Sequence, residues 1–168
     1  MICCRSKCKP TLSGPLQADK CTRYYLHYHE SFPILPDITT FLEHSNRCPL
    51  LFWTVMVIAL IGKVEQRDLY FSLVDPIQTL ASNITQPESR SFHAIQALLL
   101  LCCWPLPFGP TKNDPSHTFC VLATHNALRL GLHRPKHPSD FEYDSVIDEE
   151  TLILRRKTWV ACFIVNQR

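Results

Sequence analysis

The sequence predicts an all-α fold, an irregular array of about seven helices, and three observations carry that expectation. Apolar residues recur at three- and four-residue spacing along most of the chain, as one face of a helix requires. The 13 prolines cluster between these runs and Gly numbers only 4, so the links are those of helix-to-helix connections rather than the glycine-rich turns of a β-sandwich. The longest apolar run, Leu50 to Gly62, is roughly a dozen residues, enough for a buried helix and short of the about 20 that cross a bilayer.

The elements follow in order. Residues 1–15 read as an irregular basic leader, and 16–168 as one partial domain that ends inside a helix. A first helix from Leu16 to about His29 carries Cys21, Tyr24, Tyr25 and Tyr28 on one face. Phe32-Pro33-Ile34-Leu35-Pro36 is extended, because proline disfavours helix at itself and at its predecessor. Asp37 caps a short helix through Phe41 and Leu42. Pro49 opens a helix that is apolar nearly all round, so it lies centrally. A fourth helical stretch covers about Arg67 to Asn83, where Pro76 must bend or break it. Ser91 or Ser89 caps a fifth from Phe92 to Trp104, stopped by Pro105 and Pro107. Ser116 caps a sixth from His117 to Leu130, closed by Gly131 at the C′ position. The last helix begins near Asp148-Glu149-Glu150, acids favoured by the helix dipole. Its expected inner face is Leu152, Trp159, Cys162, Phe163 and Asn166, and no Gly, Pro or cap follows before Arg168.

Composition narrows the function. The net charge of +2 is too small for a chain that grips duplex DNA by itself. The nine cysteines are odd in number and irregularly spaced behind a polar start without a secretory signal, so they read as reduced thiols packed like small hydrophobes. No CxxC pair is present, and two intervening residues are what let two thiolates share a zinc. Near the start lie Cys3, Cys4, Cys8 and Cys21, and the adjacent Cys3 and Cys4 do not offer that geometry easily. His133 and His137 have an H-x3-H spacing, but Pro135 between them makes a loop; the expectation is that His133 and Arg134 hydrogen-bond carbonyls at the helix end. Cys120 with His117 one turn earlier lacks an orienting acid or oxyanion-type loop, which argues against nucleophilic catalysis. Arg155-Arg156-Lys157 is expected to pair with Asp148 to Glu150 or with acids of another helix rather than with DNA phosphate.

Four stretches resemble the fungal-specific transcription factor domain, the middle homology region of fungal zinc-cluster regulators. They are Tyr25 to Leu35 with its FPIL turn, Ile95 to Pro105, Ala123 to Pro135 ending in LGLHRP, and Glu149-Glu150 followed by Arg155-Arg156-Lys157-Thr158-Trp159. Their order and spacing agree from about residue 20 onward. The signature positions are Gln96, Trp104, Pro105, Leu130, Gly131, Leu132, His133, Arg134, Arg155, Arg156 and Trp159, with structural or regulatory roles. The resemblance implies a nuclear regulator of transcription and no enzyme, with no catalytic, metal or DNA-contact residue here. It implies zinc only in a full-length parent, DNA contact only through that parent's zinc cluster, related regulators as partners, a small-molecule effector, and no membrane. Two rival readings remain: a truncated remnant that only binds related regulators, and a small cysteine-dependent enzyme.

Overall fold

The computed structural model describes residues 14–44, 48–85, 91–107, 114–137, 140–141 and 148–167. Within them lie seven α-helices and no strand: α1 (Gly14–His27), α2 (Ile38–His44), α3 (Pro49–Leu60), α4 (Arg67–Ser82), α5 (Phe92–Cys103), α6 (Ser116–Arg129) and α7 (Glu149–Asn166). Most of the basic leader and the Cys3, Cys4 and Cys8 thiols lie outside the described residues. No helix among them is long and apolar enough to cross a membrane.

Two helices organise the rest. Every residue of α3 from Leu50 to Leu60 is buried, as is every residue of α5 from Ala94 to Leu101. A helix without a polar face must be covered on all sides. Accordingly α3 packs on α1, α4 and α5, while α5 packs on α3, α6 and α7. Each fully buried Leu or Ile contributes about 1.5–3 kcal/mol, so the α3–α5 contact is the axis of the core.

The caps explain where helices start. Ser91 Oγ accepts the Ala94 N–H at 3.1 Å, so Ser91 is the cap of α5. Asp37 Oδ1 accepts the N–H groups of Thr39 and Thr40 at 2.9 and 3.1 Å, which caps α2; the Thr39 and Thr40 hydroxyls also donate to the carboxylate, and these side-chain bonds first, then the backbone ones, hold the Asp37 carboxyl below the ordinary carboxylate range. At α6 the expected cap is displaced. Ser116 is the first helical residue, and it is Asp114 Oδ1 that accepts the Ser116 N–H at 3.0 Å and its hydroxyl at 2.7 Å.

Pro76 does not break α4. The helix continues through it although proline removes one backbone hydrogen bond at a cost of about 3 kcal/mol. The bond lost would end on Ser72, which is exposed, on the solvent side of the helix. Leu73, Val74, Ile77 and Ala81 are buried on the other side, and their burial outweighs the loss. The first helix also ends earlier than its periodicity suggests: α1 stops at His27, and a separate 3₁₀ turn spans His29–Ser31.

Candidate functional site

The signature residues gather at two places. The first joins α5 to the extended FPIL segment. Gln96 is fully buried, and its amide Nε2 donates to the Ile34 carbonyl at 2.5 Å, 62 residues away in sequence. This one bond satisfies a carbonyl that the proline-bounded segment cannot pair within itself. Trp104, at the C-terminal end of α5, meets Tyr28 and Phe32 edge-on, with ring centroids at 5.6 and 6.3 Å. Pro105 is exposed and ends the helix.

The second is the corner between α6 and α7. The Leu132 N–H donates to the Ala127 carbonyl at 2.9 Å and the Gly131 N–H to Leu128 at 3.1 Å, the two crossed bonds of a Schellman motif. Gly131 has φ +67°, and a Cβ there would lie 2.3 Å from the Phe141 ring. Both its backbone and its surroundings therefore require glycine. Leu132 is fully buried beneath the turn.

That motif leaves the Leu130 carbonyl without a backbone partner, and Arg155 supplies one. Its Nη2 donates to Leu130 O at 2.6 Å, and the residue is 1% exposed. A guanidinium at a helix C-terminus also meets the negative end of the dipole. One expectation changes as a result: the helix-end carbonyl is taken by Arg155 rather than by His133 or Arg134. The His133 ring instead packs against Phe141 and Trp159 at 5.3 and 5.8 Å, while Arg134 reaches Asp140 at 3.1 Å. Arg156 follows the expected pairing, with Glu149 at 3.9 Å. Inserting Arg155 also sets the rotation of α7. Its inner face is Arg155, Thr158, Ala161, Cys162 and Val165, with Trp159 at its edge. Phe163, expected inside, is 65% exposed.

The thiols meet in a chain of contacts where α5, α6 and α7 converge. Cys102 Sγ donates to the Ser116 carbonyl at 3.3 Å, one turn before Cys120. Thr124 Oγ1 donates to Cys120 O at 2.9 Å, and Asn166 Nδ2 bridges Thr124 Oγ1 and Cys162 O at 2.6 and 2.8 Å. Burial pushes the Cys102 and Cys162 thiols up to about 12, and Cys21 to about 11; burial also raises Cys120. No hydrogen bond joins Cys120 to His117 among the described residues. A thiol held protonated is a poor nucleophile, so this junction is packing. No group of three or more His, Cys, Asp or Glu among the described residues is placed to hold a metal ion.

An open cleft of about 430 Å³ is lined by Asp19, Lys20, Arg23, Lys63 and Glu65, among others. Its charges are mixed, and Arg23 is committed to the Ala59 and Ile61 carbonyls at 2.7 and 3.3 Å. The cleft therefore shows no preference for a charged ligand.

Every signature side chain that is buried thus serves a helix end, a turn or a ring contact, in the order in which the motifs occur. The family model of the fungal specific transcription factor domain matches residues 21–166. The chain belongs to that family. It is 35% identical over 147 residues to the SEF1 protein of Eremothecium gossypii, covering 86% of this chain and 14% of that one. It is 36% identical over 142 residues to the transcriptional regulatory protein SEF1 of Candida albicans, covering 80% and 15%. Similarity to the regulatory protein LEU3 of Saccharomyces cerevisiae is 26% over 183 residues, covering 96% and 20%. The chain thus spans about a seventh of the SEF1 relatives. No solved structure matches it.

Proposed function

We propose that this chain acts in transcription regulation as the helical regulatory domain of a nuclear regulator, touching other protein segments rather than DNA. The observation that carries this reading is where its signature polar groups point. Gln96 and Arg155 turn inward onto backbone carbonyls, and burial raises the Cys21, Cys48, Cys102, Cys120 and Cys162 thiols, so the family's motif residues build a shape. Small net charge leaves duplex contact to another part of a parent protein. Regulation then rests on differential contact: the domain binds or releases a neighbouring segment, and a small-molecule effector shifts that balance only by binding one state more tightly. The reading needs no cofactor within this chain. A match spanning residues 21–166 favours it over a remnant that only binds related regulators, and the names of the SEF1 and LEU3 relatives support it.

A reporter assay tests it. The full chain is inserted between a heterologous DNA-binding module and an activating segment, and output is compared with that of a flexible linker of equal length. The regulatory reading predicts a several-fold change in output with equal promoter occupancy. Output equal to that of the linker would sink it.

A further inference from the structure

We propose that His29 is an acid-sensitive latch: its neutral ring holds the turn after α1 and the FPIL segment in place, and its protonation releases them. The ring is wedged beside two tyrosines, with centroids 4.6 Å from Tyr25 and 6.3 Å from Tyr24. Its Nδ1 is buried and has no hydrogen-bond partner among the described residues. A neutral imidazole carries one proton and can keep it on the other nitrogen, whereas an imidazolium carries a proton on both. Charging His29 in place therefore buries a cationic N–H without an acceptor, which is costlier than leaving a neutral group unpaired.

The surrounding groups do not relieve that charge. From α1, Tyr24 and Tyr25 present rings whose hydroxyls burial keeps protonated, and the Tyr25 hydroxyl is committed to the Pro36 carbonyl at 2.6 Å. From α7 the exposed Lys157 ammonium repels a positive ring, and on the same turn the exposed Glu30 attracts it. A tyrosine face also attracts a cation. Burial first, and then Lys157, outweigh these attractions and hold His29 below the ordinary histidine range. His29 is tied to the segment it would free. The Phe32 N–H donates to the His29 carbonyl at 3.2 Å and the Ile34 N–H to the Phe32 carbonyl at 2.9 Å, while Gln96 holds the Ile34 carbonyl from α5. A proton on His29 thus strains the end from which the α5 contact is hung. An unfolded chain, with its histidine at about 6.5, takes the proton more readily than the folded one. The stability linked to His29 is therefore complete above about pH 7 and is lost as pH falls through that value towards the lowered folded one.

The test is a histidine titration of the full chain by nuclear magnetic resonance, with amide exchange read on the same samples. The His29 ring signal, assigned by its loss in His29→Gln, titrates below about 6.5. Lys157→Met, a change at an exposed position, moves that midpoint upward while leaving the helical circular dichroism intact. Between about pH 7 and 5, exchange at Phe32 and Ile34, corrected for its intrinsic pH dependence, rises severalfold more than at Ala97 and Leu98 in α5. His29→Gln removes that excess. The Lys157→Met shift separates a charge effect from loss of packing, because it leaves the His29 ring itself unchanged. A His29 that titrates at or above the ordinary value, a midpoint indifferent to Lys157→Met, or an excess exchange that is absent from the wild type or persists in His29→Gln would each overturn the proposal.

Discussion

Replacing Gly131 with alanine tests the α6–α7 corner through two separable costs. At φ +67° any Cβ raises the energy of the left-handed backbone by roughly 1–2 kcal/mol. The same Cβ would sit 2.3 Å from Phe141 Cδ2, so the ring must move from its place against His133, which adds about 1–3 kcal/mol of overpacking. Gly131→Ala is therefore expected to cost about 2–5 kcal/mol. For a chain of this length that lowers Tm by roughly 5–15 °C. Gly62 provides the internal control, since its φ is +79° and a Cβ there would meet nothing within 4 Å. Gly62→Ala should show the backbone cost alone. The assay is urea and thermal denaturation of Gly62→Ala, Gly131→Ala, Phe141→Ala and the Gly131→Ala/Phe141→Ala double variant. Removing the ring should recover the overpacking part, giving a coupling of about 1–3 kcal/mol. Equal losses at the two glycines, or strictly additive changes in the cycle, would refute the placement of Phe141 over the turn.

Arg155→Met keeps most of the buried stem but strips the donor from the Leu130 carbonyl, and urea titration should show a loss of about 1.5–3 kcal/mol; Arg156→Met, on the exposed side, should change stability by less than about 0.5 kcal/mol. Cys21, Cys102 and Cys162 have thiol pKa values raised to about 11, 12 and 12. The stability linked to them is complete below the ordinary thiol pKa and is lost as pH rises towards the folded values, because the unfolded chain releases these protons first. The urea midpoint should accordingly fall from about pH 9 upward, and a Cys162→Ala/Cys102→Ala variant should show a shallower alkaline decline.

Much of the fold was legible because short-range chemistry and burial agree. The runs Leu50 to Leu60 and Ala94 to Leu101 have no polar side to present, so central helices are the only placement open to them. Gly131 after a helical stripe reads directly as a C′ glycine and Asp37 as a cap, while the cap of the fifth helix is narrowed to Ser91 or Ser89. The misreadings arise where tertiary contact decides. Pro76 carries a local penalty that the burial of Leu73 and Ile77 overrides. Asp114 and Ser116 are both capping residues two positions apart, and only the backbone settles which one accepts. The rotation of α7 was ambiguous because the helix is apolar on two faces: periodicity cannot choose between Phe163 and Val165. The deciding residue, Arg155, sits in a basic run that reads as paired with helix acids, and nothing in the run itself singles it out for a carbonyl. Its signal was present in the adjoining motif, since a Schellman turn leaves the Leu130 carbonyl to be satisfied by a donor from elsewhere in the fold. Gln96 was legible as a signature residue, but nothing local pointed to Ile34 as its partner.

The central claim is that the folded shape of this domain, and no short motif or reactive group, is what regulates. Reporter output measured across Gly62→Ala, Gly131→Ala and Gly131→Ala/Phe141→Ala, in the insertion format with equal promoter occupancy, tests it most directly. The account predicts that the wild-type effect persists in Gly62→Ala, falls away in Gly131→Ala and returns in part when the Phe141 ring is removed, tracking the measured stabilities. Output unchanged in all three, while Gly131→Ala is shown to be unfolded at the assay temperature, would contradict it.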